Sequence, residues 1–326
     1  MYIVTGGAGF IGSAMLWKLN NAGVNDILVV DNLGRTEKWK NLVKRDFHGY
    51  LQRDEFMDLI ERDALEKVSG PKLTAIIHLG ACSSTTETDA DFLMRNNLAY
   101  SQKLCAYALH KCRFINASSA ATYGDGSLGF DDNPKKLKDL RPLNMYGYSK
   151  HLFDLWAARQ GILDDIVSLK FFNVYGPNEE HKGEMRSMVH KAFQQIKASG
   201  KIRLFRSNSP AYPDGGQKRD FIYVKDCVDI IWGLLQKPKL NGIFNVGAGL
   251  ARSWNDLAAA VFKAMGLPVN IEYVDMPAEL AGKYQNYTEA DSKNLRAAGL
   301  MEHMHSLEDG VTDYVRNYLA GPDPRL

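Results

Sequence analysis

The chain has 326 residues, 45% apolar and 24% charged, with a formal net charge of +2. That balance is ordinary for a globular protein in water and excludes bulk attraction to nucleic acid or an anionic membrane, so any anion site must be local. The length suits one large α/β domain or two smaller lobes, and no run of ~18 apolar residues offers a membrane span.

The sequence opens directly with "MYIVTGGAGF". It shows no basic region, no apolar core of signal length and no cleavage site, so a cytoplasmic location is expected. Residues 2–6 read as a short buried strand and Phe10 to Ala22 as a helix. Between them, Gly6, Gly9 and Gly12 are spaced three apart, and Gly7, Gly9 and Gly12 also fit G-x-G-x-x-G. The first glycine permits a tight turn, the middle one lets backbone N–H groups approach a pyrophosphate, and the last lets helix and strand pack closely. The helix N-terminus then presents free donors and the positive dipole end to an anion.

A second strand at 26–31 ends in Asp31, nineteen residues past Gly12. A carboxylate there would accept from a ribose hydroxyl and favour NAD. Asn32, Arg35 and Lys38 follow at once, with Arg53 further on, and a cationic pocket there would suit the 2′-phosphate of NADP. Arg35 and Lys38 also read as ordinary solvated charges. The local chemistry leans only slightly to NADP.

Strands at 75–80 and 113–119 follow, separated by a helix through roughly Asp89 to Lys111, and a further strand spans 166–176. Val- and Ile-rich strands, each followed by a helix, predict an α/β doubly wound parallel sheet buried on both faces. The four cysteines show no metal spacing and read as reduced, structural thiols, and no metal is expected. After Gly176 the rhythm loosens. Residues 208–220 read as a Pro/Gly-rich loop, and 242–249 as another buried strand. A smaller C-terminal lobe interleaved with the first is therefore expected.

The helix that begins near Asn144 carries "YGYSK". Tyr146 and Lys150 stand at i and i+4 and share one face. A free phenol has a pKa near ~10, too high for a base at neutral pH. A nearby ammonium and an oxidised nicotinamide would favour the phenolate. Ser119, ending the strand at 113–119, would orient the substrate oxygen. Taken singly, the Tyr-x-x-x-Lys pair is ordinary amphipathic spacing and Ser119 a loop hydroxyl. Tyr148 competes for the role but points away from Lys150. Together with the glycine loop they describe hydride removal from a secondary alcohol, Tyr146 taking the hydroxyl proton.

"TGGAGFIG", "HLGACSSTTE", "ASSAATYG", "YGYSK" and "FFNVYGP" resemble the extended short-chain dehydrogenase/reductases. That family implies a Rossmann-type cofactor domain and a smaller substrate lobe, often for nucleotide sugars. Ala120-Ala121-Thr122 stands where dehydratases of the family carry an acidic pair, which disfavours loss of water. Epimerisation needs a second acid/base group, and Lys182 in "GPNEEHKGEM" can supply it if desolvated. Left to itself, Lys182 reads as a surface lysine.

"NVYGPNEEHKG", "QKRDFIYVKD" and "KYQNYTEADSKNLRAAGL" are similar to the nucleotide-sugar epimerases that act at carbon 6 of ADP-linked heptose, over nearly the whole chain. This resemblance implies isomerase activity through transient oxidation to a ketone and re-reduction, in lipopolysaccharide inner-core synthesis. A UDP-hexose 4-epimerase and a non-catalytic dinucleotide sensor are the rival readings. Tyr146 and Lys182 become the two acid/base groups, Lys150 binds cofactor, and Ser119 orients the sugar.

The implied cofactor is NADP, with NAD as the alternative. Its contacts are Gly6, Gly9, Phe10, Ile11 and Gly12, then Asp31, Asn32, Lys38 and Arg53. Leu79, Gly80, Ala81, Cys82, Ser83 and Asn96 follow, with Tyr146, Lys150, Val174 and Lys182. Asn173 and Glu184 fall near the sugar; Lys191, Phe205, Arg206, Ser207, Asn208, Arg219 and Tyr284 fall near the ADP part. Glu184 replaces a smaller family residue, and 209–217 is longer than the family loop. The cofactor domain is expected at 1–171 plus about 223–250 and 285–298. The substrate lobe is expected at 172–222 plus about 251–284 and 299–326. The expected partner is a small-molecule substrate, ADP-heptose, with no nucleic acid and no membrane. A homo-oligomer is also implied, a pentamer by resemblance.

Overall fold

Apolar, β-branched residues dominate the first strands. β1 (Tyr2–Thr5), β2 (Ile27–Asp31), β4 (Ala75–His78), β5 (Arg113–Ser119) and β6 (Val167–Phe171) are buried along most or all of their length. Strands with apolar side chains on both faces need helices on both faces. The computed structural model describes residues 1–70, 72–277 and 284–326 and shows that arrangement. Lys283 of the "KYQNYTEAD" segment and 278–283 of the expected substrate lobe lie outside the described residues.

The remaining strands are β3 (Gly49–Gln52), β7 (Asn173–Tyr175), β8 (Ile202–Phe205), β9 (Lys218–Tyr223), β10 (Gly242–Val246), β11 (Ala251–Ser253) and β12 (Ile271–Val274). Seven of them form one sheet in the order β10-β6-β5-β4-β1-β2-β3. Every neighbouring pair in it is parallel. Chain order reverses between β1 and β4. At such a point the two crossovers leave in opposite directions and open a crevice beyond the C-terminal strand ends.

One face of the sheet is covered by helix Phe10–Asn21, packed on helix Val224–Leu235. The other carries Phe56, Ile60, Leu104, Cys105, Phe153 and Ala157. Full burial of each large apolar side chain contributes roughly 1.5–3 kcal/mol. These layers hold the strand ends rigid. Helix Met145–Gln160 starts where the Asn144 side chain accepts from the Gly147 N–H at 2.8 Å, and it ends at Gly161 in the left-handed conformation.

Two predicted elements change. The strand read at 166–176 is broken at Phe172. Its first part stays in the main sheet, while Asn173–Tyr175 leaves to pair with β9 in a three-stranded sheet, β11-β9-β7. A tight turn, with Val174 N–H donating to the Phe172 carbonyl at 3.0 Å, redirects the chain. The loop read at 208–220 ends at Gln217, because Lys218–Tyr223 is the central strand of that small sheet. Its burial from Arg219 onward was hidden by the charges of Lys218, Arg219 and Asp220. Strands β8 and β12 form a separate parallel pair. Among the described residues no helix is long and apolar enough to cross a membrane.

Candidate active site

The glycine loop turns at Gly6, whose φ of +66° favours glycine. A Cβ on Gly12 would fall 2.0 Å from the Gly6 carbonyl oxygen, so helix and loop meet only because that atom is missing. Gly9 precedes the helix with no side-chain cap. The first-turn N–H groups therefore open onto a groove of about 390 Å³ lined by Gly6, Gly9, Phe10, Ile11, Gly12, Asp31, Asn32, Lys38, Leu79, Gly80, Ala81, Ser83 and Lys182. A dinucleotide pyrophosphate fits such donors.

A second pocket, of about 270 Å³, adjoins it at the end of β2. Asp31, Asn32, Lys38, Arg53, Gly80, Ala81, Cys82 and Asn96 line it. The Asp31 carboxylate is already engaged: it accepts from Ala8 N–H at 2.9 Å and from the Lys38 ammonium at 2.6 Å. Arg53 donates to Asn96 Oδ1 at 2.6 Å. Two cations thus reach this pocket, Lys38 paired with Asp31 and Arg53 paired with Asp54 at 2.8 Å.

Ser119, Tyr146 and Lys150 meet in a larger cleft of about 620 Å³ beyond the ends of β5 and β6. Burial pushes the Tyr146 phenol pKa up, and the neighbouring Ser119 side chain pulls it down. Lys150 donates to the Ala117 carbonyl at 2.7 Å. Burial lowers its pKa to about 8, with Asp154 opposing the fall. Tyr148, on the other side of the helix, is 43% exposed.

Lys182 lines the same cleft and also the glycine-loop groove. It sits on the 3₁₀ turn Glu180–Met185, with its ammonium 5.2 Å from the centre of the Phe10 ring. Burial lowers its pKa, and the carboxylate of Glu179 raises it. The turn is tied to the glycine loop: Asn178 donates to the Ser13 hydroxyl at 2.9 Å, and Asn41 bridges the Asn178 and Ala8 carbonyls at 3.1 and 3.0 Å.

Beyond these groups the cleft is lined by Asn173, Val174, Lys191, Arg219 and Tyr284. Arg219 is held between Trp254 and Tyr284, its guanidinium carbon 5.6 and 5.0 Å from their ring centres. Phe205 packs edge-on against Tyr284 at 6.4 Å, so it backs the cleft without lining it. Arg206 is instead paired with Asp275 at 3.0 Å. The Ser207 N–H is bonded to Asp214 at 2.9 Å, and Asn208 follows on the same segment. The Glu184 side chain is 94% exposed, 3.4 Å from Lys191, because Gly183 adopts a left-handed φ of 54° that turns the chain outward.

Sequence reasoning missed Arg186, Trp254, Gln285 and Thr288, which also line the cleft. Arg186 lies four residues past Lys182 and carried a usable signal as a further cation in the same segment. With Lys150, Lys182, Lys191 and Arg219 it makes five cations. Among the described residues no carboxylate lines the cleft. A chain of net charge only +2 has gathered a site for a strongly anionic small molecule.

The profile of the NAD dependent epimerase/dehydratase family matches residues 2–247. Over 327 residues the chain is 62% identical to the ADP-L-glycero-D-manno-heptose-6-epimerase of Nitratidesulfovibrio vulgaris Hildenborough, covering 100% of both. It is 47% identical over 336 residues to the protein of that name from Fusobacterium nucleatum, again covering 100% of both. Among solved structures it is similar to the Helicobacter pylori ADP-L-glycero-D-manno-heptose-6-epimerase, with a TM-score of 0.80 at 27% identity over 97% of this chain and 95% of that one. The Thermus thermophilus UDP-glucose 4-epimerase, solved with NAD, shares the fold with a TM-score of 0.74 at 24% identity over 95% of this chain and 96% of that one.

Proposed function

The chain belongs to the NAD dependent epimerase/dehydratase family, and from that premise we propose that it inverts carbon 6 of ADP-D-glycero-β-D-manno-heptose to give the L-glycero epimer. Relatives of that name align with it end to end. One observation carries the reading: Tyr146 and Lys182, from separate segments, line one cleft walled by cations. A pyrophosphate needs those cations, and inversion needs two proton-handling groups.

A bound nicotinamide supplies a hydride acceptor that returns what it takes. The chain's own residues do the rest. Ser119 holds the sugar oxygen beside Tyr146. Tyr146 takes the hydroxyl proton as the carbon loses its hydride, leaving a ketone on the sugar. The ketone turns in the cleft, and the hydride returns to its other face while Lys182 gives a proton to the oxygen. The Lys150 ammonium stabilises the Tyr146 phenolate before it takes the hydroxyl proton. Arg219, Lys191 and Arg186 hold the diphosphate, which anchors the substrate while its sugar end turns.

The cofactor of this reading is NADP. Lys38 and Arg53 stand at the pocket beside Asp31, where a 2′-phosphate would sit and Lys38 would exchange part of its bond to Asp31 for it. The sheet would hold cofactor, and residues 172–222, about 251–284 and 299–326 would form the substrate lobe. The protein would act in the cytoplasm as a homo-oligomer, a pentamer. Incubation with each ADP-heptose epimer, with the products resolved by chromatography, tests the reading. Formation of the other epimer with no net change in cofactor is expected, and unchanged substrate would refute it.

A further inference from the structure

Beneath the Tyr146–Lys150 helix lies a group of buried charges that the mechanism above does not use. Asp154, one helical turn past Lys150, is fully buried. Its Oδ2 accepts from the Ser118 hydroxyl and its Oδ1 from the Ser168 hydroxyl, both at 2.7 Å. Lys170, 1% exposed, stands 3.9 Å from the same carboxylate and 4.2 Å from the centre of the Tyr123 ring. Ser118 and Lys170 face each other in the pairing of β5 with β6, next to Ser119 and Phe171.

We propose that Asp154 is a positioning residue for the reaction: its carboxylate fixes the Ser118–Ser119 strand end and stands one helical turn from Lys150 as the buried counter-charge on that face, while Lys170 offsets the charge Asp154 brings into the core. The proposal rests on the epimerase reading for its catalytic meaning.

The electrostatic argument starts from the burial of two lysines. A buried ammonium without a counter-charge loses its proton readily. Lys150 and Lys170 are both nearly inaccessible, and Asp154 favours the charged form of each, with Asp132 adding to its effect on Lys170. The other groups facing Lys150 are Cys82 and His78; burial keeps His78 neutral, its pKa lowered to about 3. Facing Asp154 are Lys150, Lys170, Tyr123 and His151, with Asp132 behind Lys170 and Arg141 behind His151. Without the Asp154 charge, Lys150 would lose its proton at lower pH. A neutral amine cannot stabilise the Tyr146 phenolate.

A purely structural role would end once the buried charge was rebalanced, and this separates the two ideas. In the purified holoprotein, Asp154→Asn and the charge-balanced pair Asp154→Asn with Lys170→Met are compared with the wild type. Lysine-labelled NMR spectra across pH, with the Lys150 signal assigned by Lys150→Arg, read the Lys150 midpoint without any substrate. The kcat/KM profile for the two ADP-heptose epimers is measured alongside. The double variant should regain a wild-type melting temperature. In both variants the Lys150 midpoint should fall by roughly one unit or more, and the basic limb of kcat/KM should move with it. A Lys150 midpoint unmoved in the double variant would overturn the proposal. A wild type that interconverts no epimers would sink the epimerase reading instead, leaving the lysine midpoint to decide the role of Asp154.

Discussion

The buried carboxylate of Glu179 accepts from both the N–H and the hydroxyl of Ser187, at 2.5 and 2.6 Å. This chord closes the turn that carries Lys182. The Tyr314 hydroxyl adds a third bond to Glu179 at 3.1 Å, and Ser187 in turn caps helix Met188–Ser199. One carboxylate therefore sets where the lysine ammonium can lie.

Glu179→Leu should release that turn. Each buried donor left without its acceptor costs about 1–3 kcal/mol. The expected result is a lower melting temperature and a turnover reduced by ~10-fold or more, with the bound cofactor retained. Unchanged turnover would show that the turn holds its shape without Glu179.

Gly12→Ala should abolish cofactor retention. The added carbon would sit 2.0 Å from the Gly6 carbonyl, a backbone atom that cannot rotate away, so the loop must open. Absorbance of the purified variant, compared with the wild type after denaturation, measures the loss.

Cofactor choice should follow Lys38 and Arg53. A charge-assisted contact to a phosphate contributes roughly 1.5–3 kcal/mol, and 1.4 kcal/mol is tenfold in affinity. Lys38→Ala and Arg53→Ala should each weaken NADP by ~10-fold or more and leave NAD binding within a few-fold. The wild type should release NADP when denatured. Equal losses for both cofactors would contradict the assignment.

Rate should fall on the basic side near the pKa of Lys150, which burial lowers to about 8. The sign follows from the active form: Lys150 works as the cation, so raising pH through that value removes it. The expected kcat/KM rises with pH below the midpoint, as Tyr146 loses the proton it must lack to act as base, and falls once pH passes the Lys150 midpoint. A profile that keeps rising to pH 9 would exclude a cationic Lys150.

Much of this was legible in the sequence because it is local. The glycine spacing, the acid ending β2 and the i, i+4 pair of Tyr146 and Lys150 lie within single elements, where strand and helix periods place side chains directly. What was hidden depends on distant segments. No local pattern shows that Phe172 ends one sheet and sends Asn173 to another, since the apolar run continues through both. The strand at Lys218–Tyr223 begins with three charged residues that look like loop, because Asp220 is buried by backbone donors from Ala248, Gly249 and Ala290. The exposure of Glu184, beside Gly183 with its positive φ, was likewise not legible from spacing. Trp254, from a helix far along the chain, joins the cleft only through tertiary packing.

The central claim, that Tyr146 and Lys182 serve the same sugar carbon, is tested most directly by the rate at which Lys182→Met interconverts the two ADP-heptose epimers, with bound cofactor quantified in the same sample. A general acid/base contributes ~10²-fold or more. The account predicts a loss of that size with full cofactor occupancy, matched by a similar loss for Tyr146→Phe. A Lys182→Met protein that epimerises at the wild-type rate would contradict it.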